Sequence, residues 1–205
     1  MTPFIIWAMA FILYAIFWLW YVGIRKPMSK ADVDQYIAKL KAYEHYEGQD
    51  LSGLRRFLEN DTGKSFTMVN SVLLKHKPDL VDGVHEGDTS LKTLINYHKS
   101  FMKMMLSRGG IGIFQGRVAG ASFDVIGIDN AEEWGISGIN RFRSRRDFME
   151  ILVHPAFHEK HEFKFAALSK SIAYPVDPWF QLGGLATTVA LATALAAALF
   201  HILLI

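Results

Sequence analysis

The sequence predicts an α+β domain of about 150 residues set between two apolar helices. Three observations carry this reading. All 42 charged side chains, 22 basic and 20 acidic, fall in residues 25–177, and none lies in 1–24 or 178–205. The charged fraction of that middle stretch is about 27%, an ordinary value for a soluble domain. Within it, segments of helical periodicity alternate with β-rich runs. The boundaries follow as 1–24, 25–63, 64–177 and 178–205. The absence of cysteine excludes disulfides, thiolate metal sites and cysteine nucleophiles. A net charge of +2 is too small for a nucleic-acid footprint.

Pro3 to Ile24 is an unbroken apolar run of 22 residues. At ~1.5 Å per residue it reaches roughly 33 Å, enough for a hydrocarbon core of ~30 Å. A secretory signal would place its basic residues before the apolar run, whereas Arg25, Lys26 and Lys30 follow it. The reading is therefore a membrane span. Trp18, Trp20 and Tyr21, beside Arg25 and Lys26, are expected at the headgroup level.

Ser29 caps a helix, with Asp32 three residues on in a variant capping box, and Val33, Tyr36, Ile37 and Leu40 form its apolar stripe. Gly48 interrupts, and Leu51, Leu54, Phe57 and Leu58 mark a second short helix. Phe66 to Leu74 reads as a strand. Residues 78–90 are an acidic loop without the spacing of a calcium site. A helix over 90–107 follows, then a strand from Ile111 to Ala119 and a loop over 120–132. Glu133 to Phe142 is a strand, and Ser144 caps a helix that Pro155 must kink or break. A helical piece over 156–168 leads to a last strand, Ser169 to Val176.

The charged domain thus ends in the order β-α-β-β-α-β, the split βαβ or ferredoxin-like motif, preceded by two short helices. Two helices cover one face of such a sheet. The other face needs a cover, either the helices of 29–60 or the same face of a second copy. Pro178 to Ile205 is a second apolar segment, with its helix expected to start near Leu182. Gly184, Thr188, Ala192 and Ala196 recur every four residues there, a small-residue face suited to close helix packing. His201 is expected at the interface. Basic residues flank both spans on the inner side only, so the positive-inside rule puts 25–177 in the cytoplasm and both termini outside a bacterial inner membrane.

Met68-Val69-Asn70, Gly116-Arg117-Val118, Glu133-Trp134, Arg143-Ser144-Arg145-Arg146-Asp147-Phe148 and His154-Pro155-Ala156-Phe157 stand in this order, followed by His161 and Ala166-Ala167-Leu168. Over roughly 50–177 this resembles an uncharacterised bacterial branch of the dimeric α+β barrel superfamily. The resemblance implies two ferredoxin-like sheets paired face to face. It also implies kinship with monooxygenases, haem-linked enzymes and small isomerases, a range so wide that the fold leaves the function open. His161 matches a position the family often fills with histidine.

The candidate catalytic groups are His98, Arg117 and His161. His98 lies on the first main helix, where an imidazole titrating near pH ~6.5 would serve as a proton shuttle or haem ligand. Arg117 ends a strand, where it would hold a substrate carboxylate or pair with Glu133. His154, His158 and His161 have helical spacing, but the zincin pattern would need histidine where Glu162 stands, and no metal site is expected. Trp134 is read as a packing or pocket residue. The arginines at 141, 143, 145 and 146 are read as ion-paired, or as a patch for anionic lipid. No cofactor is expected, with haem the alternative. The expected role is an accessory or structural subunit that meets membrane lipid, other membrane protein subunits and a second copy of itself. The alternative is a membrane-held enzyme of monooxygenase or isomerase type acting on an apolar substrate.

Overall fold

A computed structural model describes residues 2–181 and 183–204. The chain divides into two units, one made of the segments up to Ile24 and from Pro178 onward, the other of Arg25–Asp177.

The first unit pairs α1 (Pro3–Tyr21), with proline at its first position, and α8 (Leu185–Leu204). Both are long and apolar enough to cross a membrane. The expected start of α8, near Leu182, lies outside the described residues. Trp7 Nε1 donates to His201 Nδ1 at 3.2 Å, joining the start of α1 to the end of α8. The face of α8 that packs inward is not the predicted stripe. Ala197 is buried, and Ala186, Ala190, Thr193 and His201 on the same side are half-buried. Gly184 precedes the helix, and Thr188, Ala192 and Ala196 are exposed. Alanine is common all round this helix, so spacing alone could not select the face in contact. Tyr21 is buried and stacks on Phe17, while Trp18 is half-buried and Trp20 exposed. Arg25 and Lys26 follow in the second unit, half-buried and exposed.

The second unit contains α2 (Lys30–Lys41), a 3₁₀ turn at Glu44–Tyr46, α3 (Ser52–Glu59), β1 (Phe66–Leu74), α4 (Ser90–Ser107), β2 (Ile111–Arg117), β3 (Ile136–Phe142), α5 (Arg145–Leu152), α6 (Pro155–His158), α7 (His161–Ala167) and β4 (Leu168–Val176). The four strands form one antiparallel sheet in the order β2-β3-β1-β4. Phe66 stands opposite Phe142, and Val69 opposite Ile139 and Tyr174. An extra residue between Gly112 and Phe114 bulges β2.

The helix starts are chemically fixed. Ser29 Oγ accepts from Asp32 N at 3.2 Å, and Asp32 Oδ2 accepts from Ser29 N at 2.8 Å. Ser144 Oγ accepts from Asp147 N at 3.0 Å. Pro155 does more than kink its helix: α5 stops at Leu152, and proline takes the first position of α6. His154 becomes the cap of α6, its Nδ1 accepting from Ala156 N at 3.2 Å. It therefore leaves the row that helical spacing would have shared with His158 and His161.

The core lies between the sheet and the helices, with Phe66, Phe142, Met105, Met149 and Ile151 nearly inaccessible. Residues 29–60 join this helical side. Tyr36 Oη donates to Glu150 of α5, and Arg146 of α5 donates to both carboxylate oxygens of Asp32 at 2.9 and 3.2 Å. Arg145 reaches the Phe57 carbonyl and lies over the Phe57 ring at 4.3 Å. These helices thus extend the helical layer and do not cover the outer sheet face. On that face Phe114, Ile172, Tyr174 and Val176 are exposed.

Candidate functional site

A cavity of about 1110 Å³ separates α4 and α7 from the inner sheet face. The spread of side chains explains its character. Met68, Val72, Leu94, Phe101, Phe142 and Phe157 give it an apolar wall. Asn70 and Asn140 add amides from the two central strands, and His98, His161 and Lys164 line it from the helices.

His98 and His161, singled out from the sequence, therefore share one cavity. Arg117 does not join them. It is exposed at the end of β2 and outside the lining, and among the described residues it has no ion pair, with Glu133 or any other acid. The register pairs it with Ile136, on the helix side of the sheet, and its place as the last residue of β2 leaves it beyond the cavity. Trp134 also stays out of the lining. Its Nε1 donates to the Ala131 carbonyl at 3.0 Å, and Lys170 Nζ lies 4.6 Å from its ring centroid.

Three residues of the site had no signal in the spacing. Lys164 is one turn beyond His161 on α7, so both present to the same side. It has no carboxylate and no hydrogen-bond acceptor among the described residues, and burial lowers its basicity. His45 and Tyr46 come from the 3₁₀ turn more than 110 positions earlier in the chain. Only the packing of α2 and α3 on α5 brings them here.

His45 stacks on His161 with centroids 4.6 Å apart and rings tilted by 15°, and lies 4.8 Å from His158. Tyr43 stacks on the other side of the group, 3.3 Å from His158. Among the described residues, His45 Nε2 and His161 Nδ1 are buried without hydrogen-bond partners, and neither nitrogen of His158 makes a well-formed one. Unpaired buried nitrogens disfavour the charged imidazolium. Burial, then the charges of Lys164, His45 and His158, hold His161 down to about 3. Burial and His45 hold His158 down to about 4. Burial and Lys164 lower His98, and burial lowers His45. Tyr46 is pushed up to about 12 by burial. All four imidazoles are thus neutral at physiological pH.

The histidine rings face one another rather than a common point, and among the described residues no group of three histidines or acids is arranged to hold a metal ion. The arginines are occupied by structure. Arg143 grips Asp147 through two contacts of 2.8 Å, and Arg146 grips Asp32. Arg145 is buried beside Asp61 at 3.9 Å, and Arg141 is buried.

The fold and this cavity define an α+β domain with a pocket between its helices and its sheet. No family model matches the chain, and no curated protein matches it. Its fold is similar to that of RPA0582, a protein of unknown function from Rhodopseudomonas palustris, in two crystal structures. The first aligns with a TM-score of 0.54 at 21% identity, covering 65% of this chain and 96% of the other. The methylated form aligns with a TM-score of 0.54 at 22% identity, covering 68% and 98%. At such identity the likeness is one of fold alone.

Proposed function

We propose that this is a membrane-anchored protein whose 25–177 domain binds an apolar small molecule in the helix–sheet cavity. The observation that carries the reading is the cavity itself, about 1110 Å³ with an apolar wall and a few convergent polar groups. Its size is that of a site for a drug-sized or larger molecule. Neutral His98 and His161 would position the bound molecule through hydrogen bonds, the part of an enzyme reading that the cavity supports. The order β2-β3-β1-β4 with antiparallel pairing supports a ferredoxin-like fold, as does the placement of α4 and α5–α7 between β1 and β2 and between β3 and β4. Kinship with the dimeric α+β barrels, paired through the outer sheet face, accords with the exposed Phe114, Ile172 and Tyr174.

The anchor reading rests on α1 and α8, and the orientation on Arg25, Lys26 and Lys30 beside the first of them. The domain then faces the cytoplasm of a bacterial cell. Protease added to intact spheroplasts should leave 25–177 whole, and digestion there overturns the orientation. An accessory role within a larger membrane assembly is the second reading. It is favoured by Thr188, Ala192 and Ala196, a small-residue face that α8 leaves uncovered.

Native mass spectrometry after mild extraction tests the cavity reading. The protein should carry small apolar molecules, and Ala173→Phe, which adds a ring to the cavity lining, should release them. Equal loads on both proteins would refute the proposal.

A further inference from the structure

We infer that the cavity selects a singly charged amphiphile, an apolar chain ending in a carboxylate, and that Lys164 is the residue that reads the charge. This rests on the cavity reading above and names its ligand class.

The wall supplies a place for the chain. Met68, Val72, Leu94, Phe101 and Phe157 belong to the lining and give the tail an apolar surface. Among the described residues the same lining holds one cation, Lys164, on the face of α7 that also carries His161. A half-buried ammonium normally has a carboxylate or several acceptors, because desolvation without them is costly. Lys164 has neither among the described residues. Its neighbours in the field are imidazoles: its charge acts on both His98 and His161. The site therefore carries an unmet positive charge at an apolar cavity.

The stoichiometry of charge sets the ligand class. One cation beside neutral imidazoles balances one negative charge. A phosphate, with up to two charges, would leave part of its charge uncompensated beside the apolar wall. A carboxylate fits the single charge, and its second oxygen can accept the one N–H that a neutral His98 or His161 keeps. An alcohol or amine would leave the ammonium unmet or oppose it.

The test uses the full chain in detergent micelles. Dodecanoate and 1-dodecanol carrying the same mid-chain diazirine are photolysed at equal concentration, and the labelled residues are mapped by mass spectrometry. Micelle partition is monitored for both probes, and labelling is normalised to it. The wild-type cavity should be labelled by the carboxylate at least ~10-fold more than by the alcohol, a ratio of the size that one desolvated charge pair supplies. Lys164→Met, close in shape and free of the charge, should bring the ratio to about one with alcohol labelling unchanged. Lys164→Arg should keep the preference. Equal labelling of the wild type would overturn the inference and leave the cavity reading intact. A preference that survives in Lys164→Met would remove Lys164 from the role. No cavity labelling by either probe would refute the cavity reading itself.

Discussion

Acid should loosen this domain well before its carboxylates are protonated. The perturbation is a fall from about pH 7 to about pH 4.5. His161 and His158 protonate near 3 and near 4 in the folded chain, against 6.5 for a free imidazole. Their folded-state values are depressed, so the unfolded chain takes up protons first. The stability they contribute is complete above about pH 6.5 and drains as the pH falls toward those folded values. Each pH unit below 6.5 costs ~1.36 kcal/mol per group. By pH 4.5 this reaches about 2.5 kcal/mol for buried His161. His158 is partly exposed and coupled to the same neighbours, so roughly half that figure is reasonable. The expected loss is about 3–4 kcal/mol, a large share of the ~5–15 kcal/mol that holds a domain together. His45 and His98 shift in the same direction and add to it. The depressed carboxylates of Asp32 and Asp147 draw on a lower window, below the usual carboxylate range near pH 4, and contribute little above pH 4.5. Urea unfolding in a non-ionic detergent, followed by circular dichroism at both pH values, gives the difference directly. The double variant His158→Gln, His161→Gln should show less than half the wild-type pH sensitivity. Equal sensitivity in the two proteins would refute the assignment of the effect to this cluster.

Two further outcomes test the packing that forms the site. Arg145→Ala removes the guanidinium that lies beside buried Asp61 and on the Phe57 ring, and should cost about 3–5 kcal/mol in the same unfolding assay. A loss under ~1 kcal/mol would show that α3 is held to α5 by its apolar contacts alone. Gly63→Ala places a Cβ against the Arg25 carbonyl at a residue with φ of 70°, so it should destabilise by more than the ~1 kcal/mol of the backbone conformation alone. Unchanged hydrogen exchange at residues 25–30 in that variant would contradict the close approach.

Most of the fold was legible because local chemistry set it. The limits of β1 and α4 follow from β-branched and apolar periodicity; Ser29 and Ser144 mark helix starts by capping hydrogen bonds, and Pro155 marks a break by the N–H it lacks. The site was legible only where it was local. His161 stands on a helix that sequence periodicity places beside the sheet, and His98 likewise. His45 was invisible because its place depends on a salt link and a tyrosine contact between α2 and α5, more than a hundred residues apart in sequence. Arg117 misled for a related reason. A strand end reads as a site in sequence, but Arg117 is the last residue of β2, exposed and beyond the cavity lining.

The break at Pro155 connects these observations. Had one helix run from Arg145 through Ala167, its axis would have carried His154, His158 and His161 along one face, away from any choice about the sheet. The chain instead stops at Leu152, restarts at Pro155, and starts again at His161. Each restart lets the next segment turn independently. Short α6 places His158 against Tyr43 and His45, and α7 places His161 and Lys164 along the cavity. The two histidines still end 6.5 Å apart. A segment of thirteen residues thus faces two ways: His158 meets the chain between α2 and α3, while Lys164 addresses the cavity. His161 belongs to both groups. A ligand that touches His161 therefore presses on the same ring that His45 stacks on. In this fold the cavity is physically continuous with the segment that follows the first apolar helix.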